Sequence, residues 1–90
     1  MDAETILQRS DNTTFQTVAD EAVLIHMDTG TYFSLNKVGT EFWEKLDAKK
    51  SIQQHAMDLA AQYEVEPEMV AADLLELAER LVNEKLADIV

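Results

Sequence analysis

The sequence predicts an α+β fold in which a three-stranded antiparallel sheet is followed by three helices. Residues 13–35 are rich in Thr, Val, Phe, Tyr and Ile, which favour strands. Residues 37–87 are rich in Ala, Leu, Glu, Lys and Gln, which favour helices. The length of 90 residues and the hydrophobic content of 47% predict a single domain over residues 1–90 with a packed core. Within it we expect residues 1–12 to be flexible.

Turn signals divide the first half into three strands. In the first strand, Phe15, Thr17 and Ala19 alternate with Thr14, Gln16 and Val18, and the strand ends at a predicted turn, Asp20-Glu21. Residues 22–27 form the second strand, which is continuously apolar. The tract Asp28-Thr29-Gly30 predicts a hairpin because Asp initiates turns and Gly adopts a positive φ. The third strand follows at residues 31–35. Because an isolated sheet of this size is only marginally stable in water, we expect helices to pack on it.

Capping residues mark the starts of three helices. Asn36 can cap a first helix that stops near Asp47, and Ser51 can cap a second whose apolar residues keep a helical period. Glu66-Pro67-Glu68 begins the third, because Pro is tolerated in the first turn and acids are favoured there. We expect this last helix to extend to residue 87.

The last helix carries two neighbouring apolar stripes. The first stripe consists of Val70, Leu74, Leu77 and Leu81, and the second of Ala71, Leu75, Ala78 and Val82. One packing face requires only one stripe. The second is therefore predicted to meet the sheet or to offer a groove to a partner.

Composition argues against several functional classes. The formal net charge of -11, from 18 acidic and 7 basic residues, disfavours nucleic acids and anionic membranes as partners. The chain has no Cys, and neither His26 nor His55 has partners at catalytic or metal-binding spacing. Two glycines cannot form a phosphate-binding loop. We therefore expect no catalytic residue, no metal and no cofactor.

The start of the chain bears on location. It lacks the basic and apolar pattern of a secretion signal, and no apolar run is long enough to span a bilayer. A cytoplasmic location is the expectation.

The region from Asp28 to Trp43 couples a tight turn, an aromatic strand and a helix cap. Its motifs, together with one before it and three further along the chain, are Val23-Leu24-Ile25, Asp28-Thr29-Gly30, Tyr32-Phe33, Leu35-Asn36, Val38-Gly39, Trp43, Ser51-Ile52, Tyr63-Glu64-Val65 and Asp73. In this order and spacing they resemble the PqqD-like family, the peptide-recognition domains of pathways for ribosomally made, post-translationally modified peptides. The resemblance extends from about residue 15 to residue 87. One departure concerns the final turn, where Lys85-Leu86-Ala87 replaces the frequent Gly and two apolar residues.

The resemblance implies a winged-helix-like arrangement without catalytic residues. In the family, the leader of a precursor peptide adds as a strand beside the third strand, over the last helix. The domain then presents the leader to a modifying enzyme, such as a radical SAM enzyme or a peptidase. A free strand edge and a spare apolar stripe agree with this implication. We therefore predict a peptide-binding adaptor whose binding residues are Thr31, Tyr32, Phe33, Ser34, Leu35, Ala71, Asp73, Leu75, Ala78, Glu79 and Val82.

Charge separates this prediction from its alternatives, which are a winged-helix DNA-binding module or another protein-interaction module. A recognition helix for DNA carries exposed basic or amide side chains. Residues 67–87 instead have two basic residues against five acidic ones. We expect Asp73, Glu76 and Glu79 to flank the groove and attract a basic leader, although the acids could serve solubility alone. A small enzyme or metal protein lacks the necessary residues.

Overall fold

The computed structural model describes residues 1–90, in which a larger sheet and three helices surround one core. The elements in order are β1 (Leu7–Arg9), β2 (Thr13–Val18), β3 (Glu21–His26), β4 (Tyr32–Ser34), α1 (Lys37–Glu44), α2 (Ile52–Tyr63), α3 (Pro67–Asn83) and β5 (Ala87–Ile89). Strands β2, β3 and β4 form an antiparallel sheet in that order, and β1 pairs with β5 in a separate two-stranded sheet. The predicted fold class is confirmed, with two short strands added.

The β2–β3 hairpin turns one residue earlier than predicted. Val18 pairs with Glu21, so the two turn residues are Ala19 and Asp20, with φ of 52° and 68°. Two positive φ angles suit the twist of a two-residue hairpin. The predicted turn at Asp20-Glu21 is wrong because the pairing of Phe15 with Leu24, both packed in or against the core, fixes the register.

The β3–β4 hairpin forms where Asp28-Thr29-Gly30 predicts it. Gly30 adopts a φ of 73° and its amide donates to the His26 carbonyl at 2.8 Å. The His26 ring is buried, and its Nδ1 accepts the amides of Asp28 at 3.2 Å and Thr29 at 3.4 Å. His26 therefore has a structural role in holding the turn before β4.

The three predicted helix starts are confirmed. The Asn36 side chain accepts the Gly39 amide at 2.8 Å. Ser51 accepts the Gln54 amide at 3.2 Å, while the Gln54 side chain accepts the Ser51 amide at 2.8 Å, which completes a capping box. Pro67 is the first residue of α3. Helix α1 ends at Glu44, somewhat before the predicted end near Asp47.

Helix α3 ends at Asn83, before the predicted limit at residue 87. Lys85 takes a left-handed φ of 61°, the Leu86 amide donates to the Leu81 carbonyl at 2.9 Å, and the Lys85 amide to the Val82 carbonyl at 3.0 Å. These two hydrogen bonds together form a Schellman motif, which usually has Gly at the left-handed position. It turns the chain into β5, so that Leu86 and Ala87 enter the core.

The N-terminal segment, expected to be flexible, contains strand β1. Arg9 lies opposite Ala87 in the pairing with β5, and Leu7 is 1% exposed. A three-residue strand shows no periodicity that a sequence pattern could reveal. Arg9 pairs with Ala87, which lies 78 positions further along the chain.

The core lies between the sheet and the helices and holds Phe42 and Trp43 without exposure. The Thr40 hydroxyl accepts the Ala22 amide at 2.9 Å and lies 3.4 Å from the Leu35 carbonyl. This buried hydroxyl fixes α1 against the sheet. None of the three helices has the length and apolar character needed to cross a bilayer.

Candidate functional site: a groove at the edge of strand β4

Strand β4 has one unpaired edge. It pairs only with β3, where the Leu35 amide donates to the Ala22 carbonyl at 2.8 Å and the Thr31 carbonyl accepts from His26 at 3.0 Å. Backbone groups alternate in direction along an antiparallel strand. Those of Tyr32 and Ser34 consequently face the open side, where they can pair with another strand.

A groove of about 730 Å³ lies beside this edge, between β4 and α1 on one side and α3 on the other. Nine of its fifteen lining residues are hydrophobic, so an apolar side chain can be buried there. The lining residues are Phe33, Ser34, Leu35, Asn36, Val38, Gly39, Tyr63, Val65, Met69, Val70, Asp73, Leu74, Glu76, Leu77 and Arg80.

Gly39 sets how closely α1 approaches α3. A Cβ atom at this position would lie 3.2 Å from Leu77 Cδ2 and 3.3 Å from Asn36 Oδ1. Such contacts are tighter than normal packing, so glycine permits the start of α1 to lie against Leu77. The Val38-Gly39 motif thereby shapes the floor of the groove.

The charged residues of the groove lie on one side of α3. The Arg80 guanidinium is stacked 4.8 Å from the centre of the Phe33 ring, which links α3 to β4. Asp73 and Glu76 precede it on α3 and are exposed. None of the three takes part in an ion pair; the one ion pair of the molecule joins Lys50 and Asp58 at 3.1 Å.

Tyr63 closes the far end of the groove, beside Val65 and Met69. The Lys37 ammonium lies 5.8 Å from the centre of its ring. Burial raises the pKa of the Tyr63 hydroxyl, and the Glu41 carboxylate acts in the same direction. Both influences favour the neutral phenol over the phenolate.

The structure brings only some of the predicted site residues together. Phe33, Ser34, Leu35 and Asp73 line the groove. Tyr32 is 72% exposed on the edge strand, and Thr31 immediately precedes that strand.

The second apolar stripe of α3 lies outside this groove, and a contact of these residues with a peptide stays a prediction. Ala78 is 0% exposed in the core, and Ala71, Leu75 and Val82 are partly buried against that core. At 100° per residue, these three lie on one flank of the buried stripe, and the groove residues lie on the other flank. Glu79 is exposed and does not line the groove. The groove flank of α3 is therefore the one with Met69, Asp73, Glu76, Leu77 and Arg80.

Sequence reasoning missed several groove residues. Leu77 belongs to the stripe assigned to the core, and Met69 and Arg80 were given no role in the site. The Val38-Gly39 and Tyr63-x-Val65 motifs carried a usable signal, because both form the groove wall. The sequence did not show that the two motifs meet in one groove, because they lie on different elements.

The histidines lie away from the groove. His55 is buried, with its ring 5.3 Å from that of Phe42 in an edge-to-face contact. His26 borders a second depression, which is polar, with Asp11, Asp28 and Asp88. No three His, Asp or Glu side chains are placed to hold a metal ion.

An unpaired strand edge beside an apolar groove defines a domain suited to binding an extended peptide by strand addition. The family model described as coenzyme PQQ synthesis protein D (PqqD) matches residues 21–87, and the chain belongs to this family. It is also similar to a solved structure of TbiB1 in complex with the TbiA(beta) leader peptide. That similarity has 33% sequence identity and a TM-score of 0.80, and it covers 90% of this chain and 94% of TbiB1. The comparison with curated protein sequences finds no match.

Proposed function

We propose that this protein is a non-catalytic adaptor that binds the leader of a ribosomally made precursor peptide. The leader adds as a strand to β4, and the adaptor presents it to a separate modifying enzyme, such as a radical SAM enzyme or a peptidase. The observation that carries the proposal is the open backbone edge at Tyr32 and Ser34 beside the apolar groove. Support comes from the similar TbiB1 structure, which holds a leader peptide.

Two kinds of interaction would hold the leader. Each backbone hydrogen bond to the β4 edge contributes roughly 0.5–1.5 kcal/mol and does not depend on which side chains the leader carries. An apolar side chain buried against Leu77 and Phe33 contributes about 1.5–3 kcal/mol and requires a matching residue. Pairing therefore aligns the leader, and the groove selects it.

The surface of α3 supports a peptide in preference to DNA. Glu68, Asp73, Glu76 and Glu79 are exposed on this helix, whose one basic residue is Arg80. A helix with this charge would repel the phosphates of a duplex. The DNA-binding alternative is therefore not favoured.

A peptide selection followed by mapping tests the proposal. A displayed library of random 12-residue peptides is panned against the full chain, and an enriched peptide is titrated into isotope-labelled protein. We expect its amide shifts to concentrate in β4 and α3. Shifts confined to α2, or no enriched peptide, would contradict the proposal.

A matched pair of variants locates the site independently. Met69 in the groove is 66% exposed, and Met57 on α2 is 55% exposed and outside it. Met69→Asp should weaken binding of the selected peptide about tenfold, or about 1.4 kcal/mol, because it places a carboxylate where an apolar group binds. Met57→Asp should leave the affinity unchanged. Equal losses for both would mean that the groove is not the site.

A further inference from the structure

The groove has a charge polarity along its length. Arg80 lies at the end formed by Phe33, Gly39 lies against Leu77 in the middle, and Val65 and Met69 line the other end. The groove therefore follows the axis of α3. The negative charges of Asp73 and Glu76 come before the positive charge of Arg80 along this axis.

These charges are left free by the fold. Glu76 and Arg80 are four residues apart, the spacing and order that favour a helical ion pair. The guanidinium instead lies on the Phe33 ring, and neither residue takes part in an ion pair or side-chain hydrogen bond within the protein. Both signs of charge are consequently available to a bound peptide.

Building on the proposed function, we propose that the groove selects leaders with a basic and an acidic residue two positions apart. Glu76 and Arg80 are separated by about 6 Å along the helix. A strand advances about 3.3 Å per residue, and residues two apart point to the same face. A basic side chain then faces Glu76, reinforced by Asp73, while the acidic side chain faces Arg80. The order of the two charges fixes the direction and the register of the leader.

A charge swap provides the test because it leaves the net charge unchanged. The variant Glu76→Lys/Arg80→Glu reverses the polarity of the groove. The control Lys49→Glu/Glu4→Lys makes the same exchange at exposed positions outside the groove. The random 12-residue library is panned separately against the natural protein, the swap and the control.

Peptides selected by the natural protein and by the control should share one order of charges at a spacing of two, and the swap should select the reverse order. A peptide selected on the natural protein should bind the swap about fivefold to tenfold more weakly at low salt, and less so at high salt. Its charge-reversed counterpart should show the opposite preference.

A failure of the charge-order inference can be distinguished from a failure of the proposed adaptor function. Peptides that shift β4 and α3 amides but show no charge order, with equal affinity for natural and swapped protein, would overturn this inference and leave the adaptor function standing. A selection that yields no groove-binding peptide would overturn both.

Discussion

The Nε of Arg9 donates to the Trp43 carbonyl at 3.1 Å, while its guanidinium lies 5.5 Å from the centre of the Trp43 ring. The same guanidinium donates to the Glu44 carbonyl at 2.7 Å and lies 5.0 Å from the Phe15 ring. Carbonyls at a helix end lack partners within the helix, and a cation there is favourable. Arg9 thus caps the end of α1 and ties β1 to the helix that borders the groove.

Replacing Arg9 with Ala should lower the free energy of unfolding by roughly 1.5–3 kcal/mol, because charge-assisted bonds to both carbonyls are lost. Arg9→Lys should recover only part of this, since an ammonium cannot reproduce the planar fork or the stacking. Chemical denaturation measures both, with exposed Lys49→Ala as the control. A loss for Arg9→Ala no larger than that of the control would contradict the capping role.

Replacing His26 with Ala should also destabilise the protein, by roughly 1–3 kcal/mol, because the amides of Asp28 and Thr29 lose their acceptor. His26→Asn should lose less, since its side-chain oxygen can accept in a similar position. The two variants are compared by denaturation and by hydrogen exchange at the Thr29 amide. Identical losses and exchange rates would show that the Nδ1 contacts contribute nothing.

Lys85→Gly should stabilise the protein by about 0.5–1 kcal/mol. The residue holds a φ of 61°, which is strained for any side chain with a Cβ and free for glycine. Lys85→Ala is the control, because it removes the charge but retains the Cβ. Thermal denaturation should raise the Tm for Gly alone; an equal rise for Ala would assign the effect to charge.

Stability should fall as the solution is acidified below neutrality, because of His55. Burial lowers the pKa of His55 below its ordinary value of 6.5, although the Asp47 carboxylate opposes this. The unfolded chain then binds more protons than the folded one, so the contribution is complete above pH 6.5 and is lost as pH falls toward the folded pKa.

The variant His55→Leu isolates this effect. It should show a smaller loss of unfolding free energy between pH 7.5 and pH 5 than the natural protein, measured by denaturation at each pH. Asp47 contributes in a separate window: amides of Lys50 and Lys49 lower its pKa, so its contribution is lost only below 3.8. Parallel pH curves for the natural protein and the variant would remove His55 as the cause.

The sequence by itself determined the class of fold, the three helix starts and the β3–β4 hairpin. Each rests on contacts within a few residues: the Asn36 and Ser51 caps, Pro67 in a first turn, and the positive φ of Gly30. The ordered motifs also pointed to the family, and the resemblance predicted that a leader pairs with the third strand of the sheet, which is β4. Local chemistry suffices for such features because it does not depend on the rest of the chain.

Only the tertiary structure decided which flank of α3 forms the groove and that β1 pairs with β5. Leu75 and Leu77 are equally apolar, and no local signal distinguishes them. The choice depends on how far α3 is rotated when Val70, Leu74, Ala78 and Leu81 enter the core, and on the contact of Leu77 beside Gly39. That rotation is set by packing between segments distant in sequence, which is why Met69, Leu77 and Arg80 became visible as groove residues only in the folded chain.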